Sequence, residues 1–176
     1  REELYGDAVL TALPMRLVRS GWLPGSPRRE PRGALCVSID VDGVAWQIIN
    51  THLGLRVGER AAQIDHLLGD GWLEAALRAG PVVFLGDLNA GEGSYVCRRL
   101  ADRLTDVQRA IPGWRPRATW FGQRPTLRLD HIYVSSDIAV DAVTVVDSAL
   151  ARRASDHLPI VASLRLREAR PTDLSD

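Results

Sequence analysis

The stretch "PVVFLGDLNAGE", residues 81 to 92, changes character halfway along: four apolar residues, Val82 to Leu85, give way to Gly86 and then to two polar groups. A short apolar run bounded by Gly80-Pro81 and Gly86 suits a strand covered on both faces. Asp87 and Asn89 lie two residues apart, so at a strand end they point the same way, into the space beyond it. Asp and Asn after Gly are also ordinary turn formers. The rest of the chain has to decide between a turn and a site.

Toward the N-terminus, Ala61, Ile64, Leu67, Leu68, Trp72, Leu73, Ala76 and Leu77 recur at three and four, with Gly69 and Gly71 as interruptions. That spacing predicts one helix or two abutting ones between Val57 and Ala79, stopped by Gly80-Pro81. Further upstream, "ALCVSIDVDGVAWQIINTHL" predicts two strands joined by an Asp-Gly turn, the second ending at His52. The chain opens on a strand-like run, "YGDAVLTALPM", a second strand, "RLVRSGWLP", and a Pro, Gly and Arg loop, "GSPRREPRG". Downstream of residue 92 a short amphipathic helix is expected from about Ser94 to Leu104. A loop from Ala110 to Arg128 follows, rich in Arg and aromatic residues, and then three strands, "LDHIYVS", "IAVDAVTVVD" and "IVASLRL". Strands and helices interleave without a repeat. The expectation is one α/β domain over residues 1–168 with a largely antiparallel or mixed sheet, and a tail over 169–176.

Composition excludes several classes. At 176 residues with 45% hydrophobic and 25% charged residues, the chain has the balance of an ordinary folded domain rather than a disordered one. The 22 basic residues, every one Arg, cancel the 22 acidic ones, so no global field attracts a polyanion. Cys36 and Cys97 are far apart in apolar or helical contexts, which predicts buried thiols rather than a disulfide or metal motif. No run approaches the ~18 apolar residues of a membrane span, and the N-terminus lacks the pattern of a signal peptide. A cytoplasmic location is the expectation.

Four polar clusters fall at the ends of expected strands: "NTHLG" with His52, "GDLNA" with Asp87 and Asn89, "LDHIYVS" with Asp130, and "ASDHLPIV" with Asp156 and His157. Any one of them is compatible with a turn or a structural histidine. Together they match one chemistry, because carboxylates bind hard cations and imidazoles handle protons. His131 follows Asp130 and should point to the opposite face of its strand as a structural histidine, and His66 lies on the helix. The Arg and aromatic residues of the 110–128 loop can stack on a substrate or form a small cluster of their own.

The set "THLG", "GDLNA", "LDHIYVS" and "SDHLP", in this order, resembles the endonuclease/exonuclease/phosphatase superfamily of metal-dependent phosphoesterases over nearly the whole chain. "YGDAVLTALPM" resembles the family's Tyr-Gly-Asn-Ala strand and departs from it at Asp7. "EPRGALCVSIDVDG" and "GLRVGERAAQIDHLL" resemble a bacterial branch of small members. The resemblance implies a four-layer α/β sandwich of the DNase I-like type, two sheets face to face with helices outside. It further implies that Asp87 positions or deprotonates an attacking water and that Asn89 holds the phosphate. Asp156, with Asp87, would stand on the side of a Mg²⁺ or Mn²⁺ ion. His157 would contact a phosphate oxygen, Asp130 would fix the His157 tautomer, and His52 would be a second phosphate-facing imidazole.

The resulting expectation is a metal-dependent phosphoesterase acting on a small-molecule or lipid-derived ester. A DNA or RNA nuclease is the alternative that zero net charge disfavours, and a non-catalytic binding module with the same fold is a third. The family's first half, with its metal-side Asn and a Gln-Glu pair, has no counterpart in this sequence, since Glu2 and Glu3 stand too close to "YGDAVL". An N-terminal segment of the same fold is therefore expected to be needed to complete the site.

Overall fold

The computed structural model describes residues 6–168. Glu2 and Glu3, Tyr5 of the opening run, and the tail at 169–176 lie outside the described residues. A six-stranded sheet runs in the order β1 (Met15–Trp22), β2 (Gly33–Val41), β3 (Val44–His52), β4 (Val82–Asp87), β6 (Asp130–Val134) and β5 (Thr105–Asp106). All neighbours are antiparallel except β3 and β4, whose parallel pairing is made possible by the helical crossover between them. A second sheet pairs β7 (Ile138–Val145) with β8 (Ile160–Leu166).

β4 sits in the middle of the larger sheet, and its alternation sets the layers. Val82 and Phe84 face helices α1 (Val57–Leu67), α2 (Leu73–Ala79) and α3 (Tyr95–Ala101), packing with Ile49, Ile64, Leu73 and Leu100. Val83 faces the other way, into a core with Trp46, Val134, Ile138 and Val143 beneath the β7–β8 hairpin. Val82, Val83 and Phe84 are all buried, as a strand covered on both faces requires. This arrangement of two facing sheets with helices outside is the sandwich expected from the motifs.

The 57–79 periodicity resolves into two helices. Gly69 and Gly71 break it at the turn between them, where the Trp72 N–H bonds the Gly69 carbonyl at 3.1 Å. α3 begins on Ser94, whose hydroxyl accepts from the Cys97 N–H. Three short elements carry too little periodicity to be read from sequence: β5, α4 (Val107–Ala110) and α5 (Ala149–Ala154).

One expected strand is absent. Residues 6–14 of "YGDAVLTALPM" form no strand, and the first strand begins at Met15. A strand exists only beside a partner, and among the described residues none runs alongside this segment. It crosses the sheet instead, with the Asn50 amide donating to the Ala8 carbonyl at 3.0 Å and the Asp40 N–H to that of Pro14 at 3.0 Å. Among the described residues no helix is long and apolar enough to cross a membrane.

Candidate active site

Strand register assembles the site. His52 on β3 pairs with Asp87 on β4, and Asp87 pairs with Asp130 on β6, so three polar side chains from adjacent strands end at one level. The turn preceding β8 brings His157 over them. The His157 Nδ1 lies 2.8 Å from Asp130 Oδ2, its Nε2 3.9 Å from Asp87 Oδ2, and His52 Nε2 3.3 Å from that same oxygen. All four are half-buried.

The supporting bonds explain why the strand ends hold their positions. Gly86 presses against the Thr51 carbonyl so closely that no side chain fits there, which draws β3 and β4 together at the site. Leu53 N–H donates to the Asp87 carbonyl at 2.9 Å, and the Asn89 amide returns a bond to the Leu53 carbonyl at 2.9 Å. Asn89 has φ 47°, a left-handed conformation that Asn tolerates better than most residues, and its N–H bonds Asp87 Oδ1 at 2.9 Å. From α1, the buried Gln63 accepts from the Gly54 N–H at 2.8 Å and fixes the turn after His52. On the other flank, the segment around Trp120 bridges to His157, and the Leu158 N–H bonds the Thr119 carbonyl at 2.8 Å.

With this geometry in place, the relatives are informative. A profile of the Endonuclease/Exonuclease/phosphatase family matches residues 1–157. The chain belongs to that family. It is 32% identical to the uncharacterized protein YbhP of Escherichia coli, over 92% of this chain and 63% of that protein, so it spans less than two thirds of that relative's length. Among solved structures, a functionally unknown conserved protein from Enterococcus faecalis superposes with TM-score 0.71 at 21% identity, over 87% of this chain and 68% of that one. The mannosyl-6-phosphatase of Bacteroides thetaiotaomicron superposes with TM-score 0.69 at 19% identity, over 86% and 67%. At these identities the structural likeness establishes the DNase I-like fold. Members of the endonuclease/exonuclease/phosphatase family are generally divalent-metal hydrolases of phosphate esters.

Electrostatics within this cluster follow from burial and from the two pairs. Burial raises the Asp87 carboxyl, the Asn89 N–H opposes it, and the Asp130 charge adds to the rise, leaving it above the usual carboxylate range. Burial lowers His52, and the neighbouring Asp87 only partly offsets this, so its neutral form is favoured. The Arg32 guanidinium, 3.1 Å from His52 Nδ1, has no acceptor. Nδ1 therefore accepts, and the His52 hydrogen sits on Nε2, toward Asp87. His157 moves the other way: burial alone would lower it, but the Asp130 bond and the charges of Asp130, Asp87 and Asp156 outweigh burial and raise it.

Asp87, Asp130 and His157 each offer a ligand atom within 4.8 Å of the others, a donor set whose two carboxylates suit a hard cation. Asp156 is exposed and lies outside this trio. Arg32, near the site, escaped the sequence analysis, and Asp7 stood out there only as a departure from the family's strand. Arg32 is buried beside His52 and pairs with Glu30 at 3.0 Å, and its only signal was a basic residue ahead of a strand. Asp7, raised by burial against the charges of His52 and Arg32, lines a cleft of about 460 Å³ with both of them.

The two cysteines are buried thiols, as expected. His131 is buried on the helix side, and His66 accepts from the Trp72 indole N–H at 3.2 Å. In the 110–128 loop, Arg117 pairs with Asp147 and Arg128 with Asp106 and Glu92, while Phe121 stands half exposed against Trp120.

Proposed function

We propose that the protein is a Mg²⁺- or Mn²⁺-dependent phosphoesterase in which water attacks phosphorus in line, acting on a small-molecule or lipid-derived phosphodiester or phosphomonoester. The observation that carries this reading is the common level of His52, Asp87 and Asp130 on three adjacent strands, with His157 bonded to Asp130 at 2.8 Å above them.

In this reading Asp87 orients the attacking water and accepts its proton, a task suited to a carboxyl raised by burial. Asn89 spends one amide hydrogen on the Leu53 carbonyl and directs its second at a phosphoryl oxygen. The carboxylate of Asp130 only accepts, so His157 carries a hydrogen on Nδ1. Its raised pKa favours the imidazolium, whose Nε2–H stabilises charge gathering on phosphate. His52 is the second phosphate-facing imidazole of this reading, its Nε2–H shared between Asp87 and the phosphate.

A divalent cation, when bound, neutralises charge developing on the phosphoryl and leaving oxygens. Asp87 and Asp156 are the carboxylates that would hold it, since Asp130 is engaged with His157. Two carboxylates leave such an ion largely hydrated. In this reading a further protein ligand would complete the coordination. Nucleic acid is the less favoured substrate, because net charge is zero and Arg117 and Arg128 of the Arg-aromatic loop are engaged in ion pairs.

The test is a panel of phosphodiesters and phosphomonoesters offered to the full-length protein with Mg²⁺ or Mn²⁺, with and without EDTA. Metal-dependent turnover of at least one small ester is expected. Undiminished turnover in excess EDTA, or none against the whole panel, would overturn the reading.

A further inference from the structure

Beneath the turn that carries Asp87 and Asn89 lies a buried contact set to which the proposed chemistry assigns no role. His131 is the residue after Asp130 on β6, on the opposite face, and only 1% of it is exposed. Its Nε2 lies 2.9 Å from the Ala90 carbonyl oxygen, 3.2 Å from that of Arg128 and 3.7 Å from the Cys97 sulfur. Two carbonyl acceptors at one nitrogen place the ring hydrogen on Nε2. The other nitrogen, Nδ1, is buried and has no hydrogen-bond partner among the described residues. An unpartnered buried polar atom is unfavourable. A ring kept for packing alone, stacked as this one is on Tyr133 at 5.9 Å, would gain by having no such nitrogen.

The bond that offsets this cost lies at a demanding point of the backbone. Asn89 adopts its left-handed conformation, and residues 87–89 are tied on the site side by Leu88 N–H to the Leu129 carbonyl at 2.9 Å and by the two bonds of Asn89. The next carbonyl along, that of Ala90, is held from below by His131. Arg128, whose side chain is only 7% exposed, takes the clamp further by bonding Glu92 at 3.1 Å while it pairs with Asp106. The backbone that presents Asp130 to His157 thus carries, on its buried side, two residues that hold the turn presenting Asp87 and Asn89.

We infer that His131 is a positioning residue: its Nε2–H to the Ala90 carbonyl fixes the left-handed turn and thereby the direction of the Asn89 amide and the Asp87 carboxylate. The inference rests on the phosphoesterase reading for its effect on turnover, but not for its effect on the turn. A helix-facing ring on β6 would then act on the reaction without touching substrate.

The experiment uses the full-length protein with His131→Leu and His131→Gln, the latter restoring an amide N–H near the position of Nε2. Three measurements are made: the ring tautomer of His131 by nitrogen NMR in the unaltered protein, hydrogen exchange of the Asn89 N–H, and kcat and KM on the best ester of the panel. The expected results are the Nε2–H tautomer, faster Asn89 exchange in His131→Leu with recovery in His131→Gln, and a fall in kcat of about 10²-fold at nearly unchanged KM. The Nδ1–H tautomer, unchanged Asn89 exchange in His131→Leu, or a His131→Gln variant no better than His131→Leu would overturn the inference. If His131→Leu does not fold, the tautomer and His131→Gln decide it. If the unaltered protein hydrolyses nothing, the phosphoesterase reading fails while tautomer and exchange still decide the role of His131.

Discussion

Replacing Gly86 by Ala tests whether the close approach of β3 and β4 builds the site. A Cβ at position 86 would stand 1.8 Å from the Thr51 carbonyl oxygen and 2.9 Å from its carbon, on a residue whose φ is +147°. Relief to an ordinary contact requires about 1.6 Å of separation between two backbones, where no flexible side chain can yield. The separation disrupts roughly two ladder hydrogen bonds at ~1 kcal/mol each, and a non-glycine at that φ adds about 1–3 kcal/mol of strain. A loss of roughly 3–5 kcal/mol corresponds to a fall in Tm of about 6–20 °C for a domain of this size. His52 and Asp87 flank the clash on the two strands, so any protein that still folds should have them displaced by about an ångström and lose on the order of 10² in turnover. Thermal unfolding by circular dichroism and turnover of a small phosphoester, both on the full-length protein, measure the two effects. A Gly86→Ala variant with unaltered Tm and unaltered turnover would show that Gly86 is a mere turn former and that register does not set the site.

Removing the Asp87 carboxylate or the His157 ring, as Asp87→Ala or His157→Ala, should lower kcat by roughly 10² or more while Tm changes little, because both groups act on the transition state. The His157 imidazole should titrate above the ordinary histidine value, and Asp130→Asn should bring it down, as followed by NMR. Because its folded pKa is raised, the stability it contributes is fully present below the unfolded value. That contribution is lost as pH rises through the folded value, so the stability gap between the protein and Asp130→Asn, measured by urea unfolding, should narrow toward alkaline pH. Arg128→Leu leaves Asp106 as a buried unpaired carboxylate and should cost about 3–5 kcal/mol in the same assay.

Local patterns were enough to place much of this molecule. The apolar run at Val82 to Leu85 marked a strand covered on both faces, the Asp-Gly turn marked the β2–β3 hairpin, and four polar clusters at strand ends marked where to look for a site. Period and turn chemistry are properties of a few neighbouring residues, so they survive in the sequence. The opening run "YGDAVLTALPM" failed as a strand because pairing depends on what lies alongside it, which no local pattern records. β5, α4 and α5 span too few residues for a period to emerge.

What only the tertiary structure decided is the alignment of distant pieces. Nothing in "NTHLG", "GDLNA" or "LDHIYVS" states that His52, Asp87 and Asp130 end at one level; that follows from the parallel register of β3 on β4 and the antiparallel register of β6 on β4. Nor does sequence separate a histidine bonded to a carboxylate from one bonded to a carbonyl 41 residues away. Asp130 and His131 are adjacent residues, and the pleat of one strand sends the first to the site and the second beneath it.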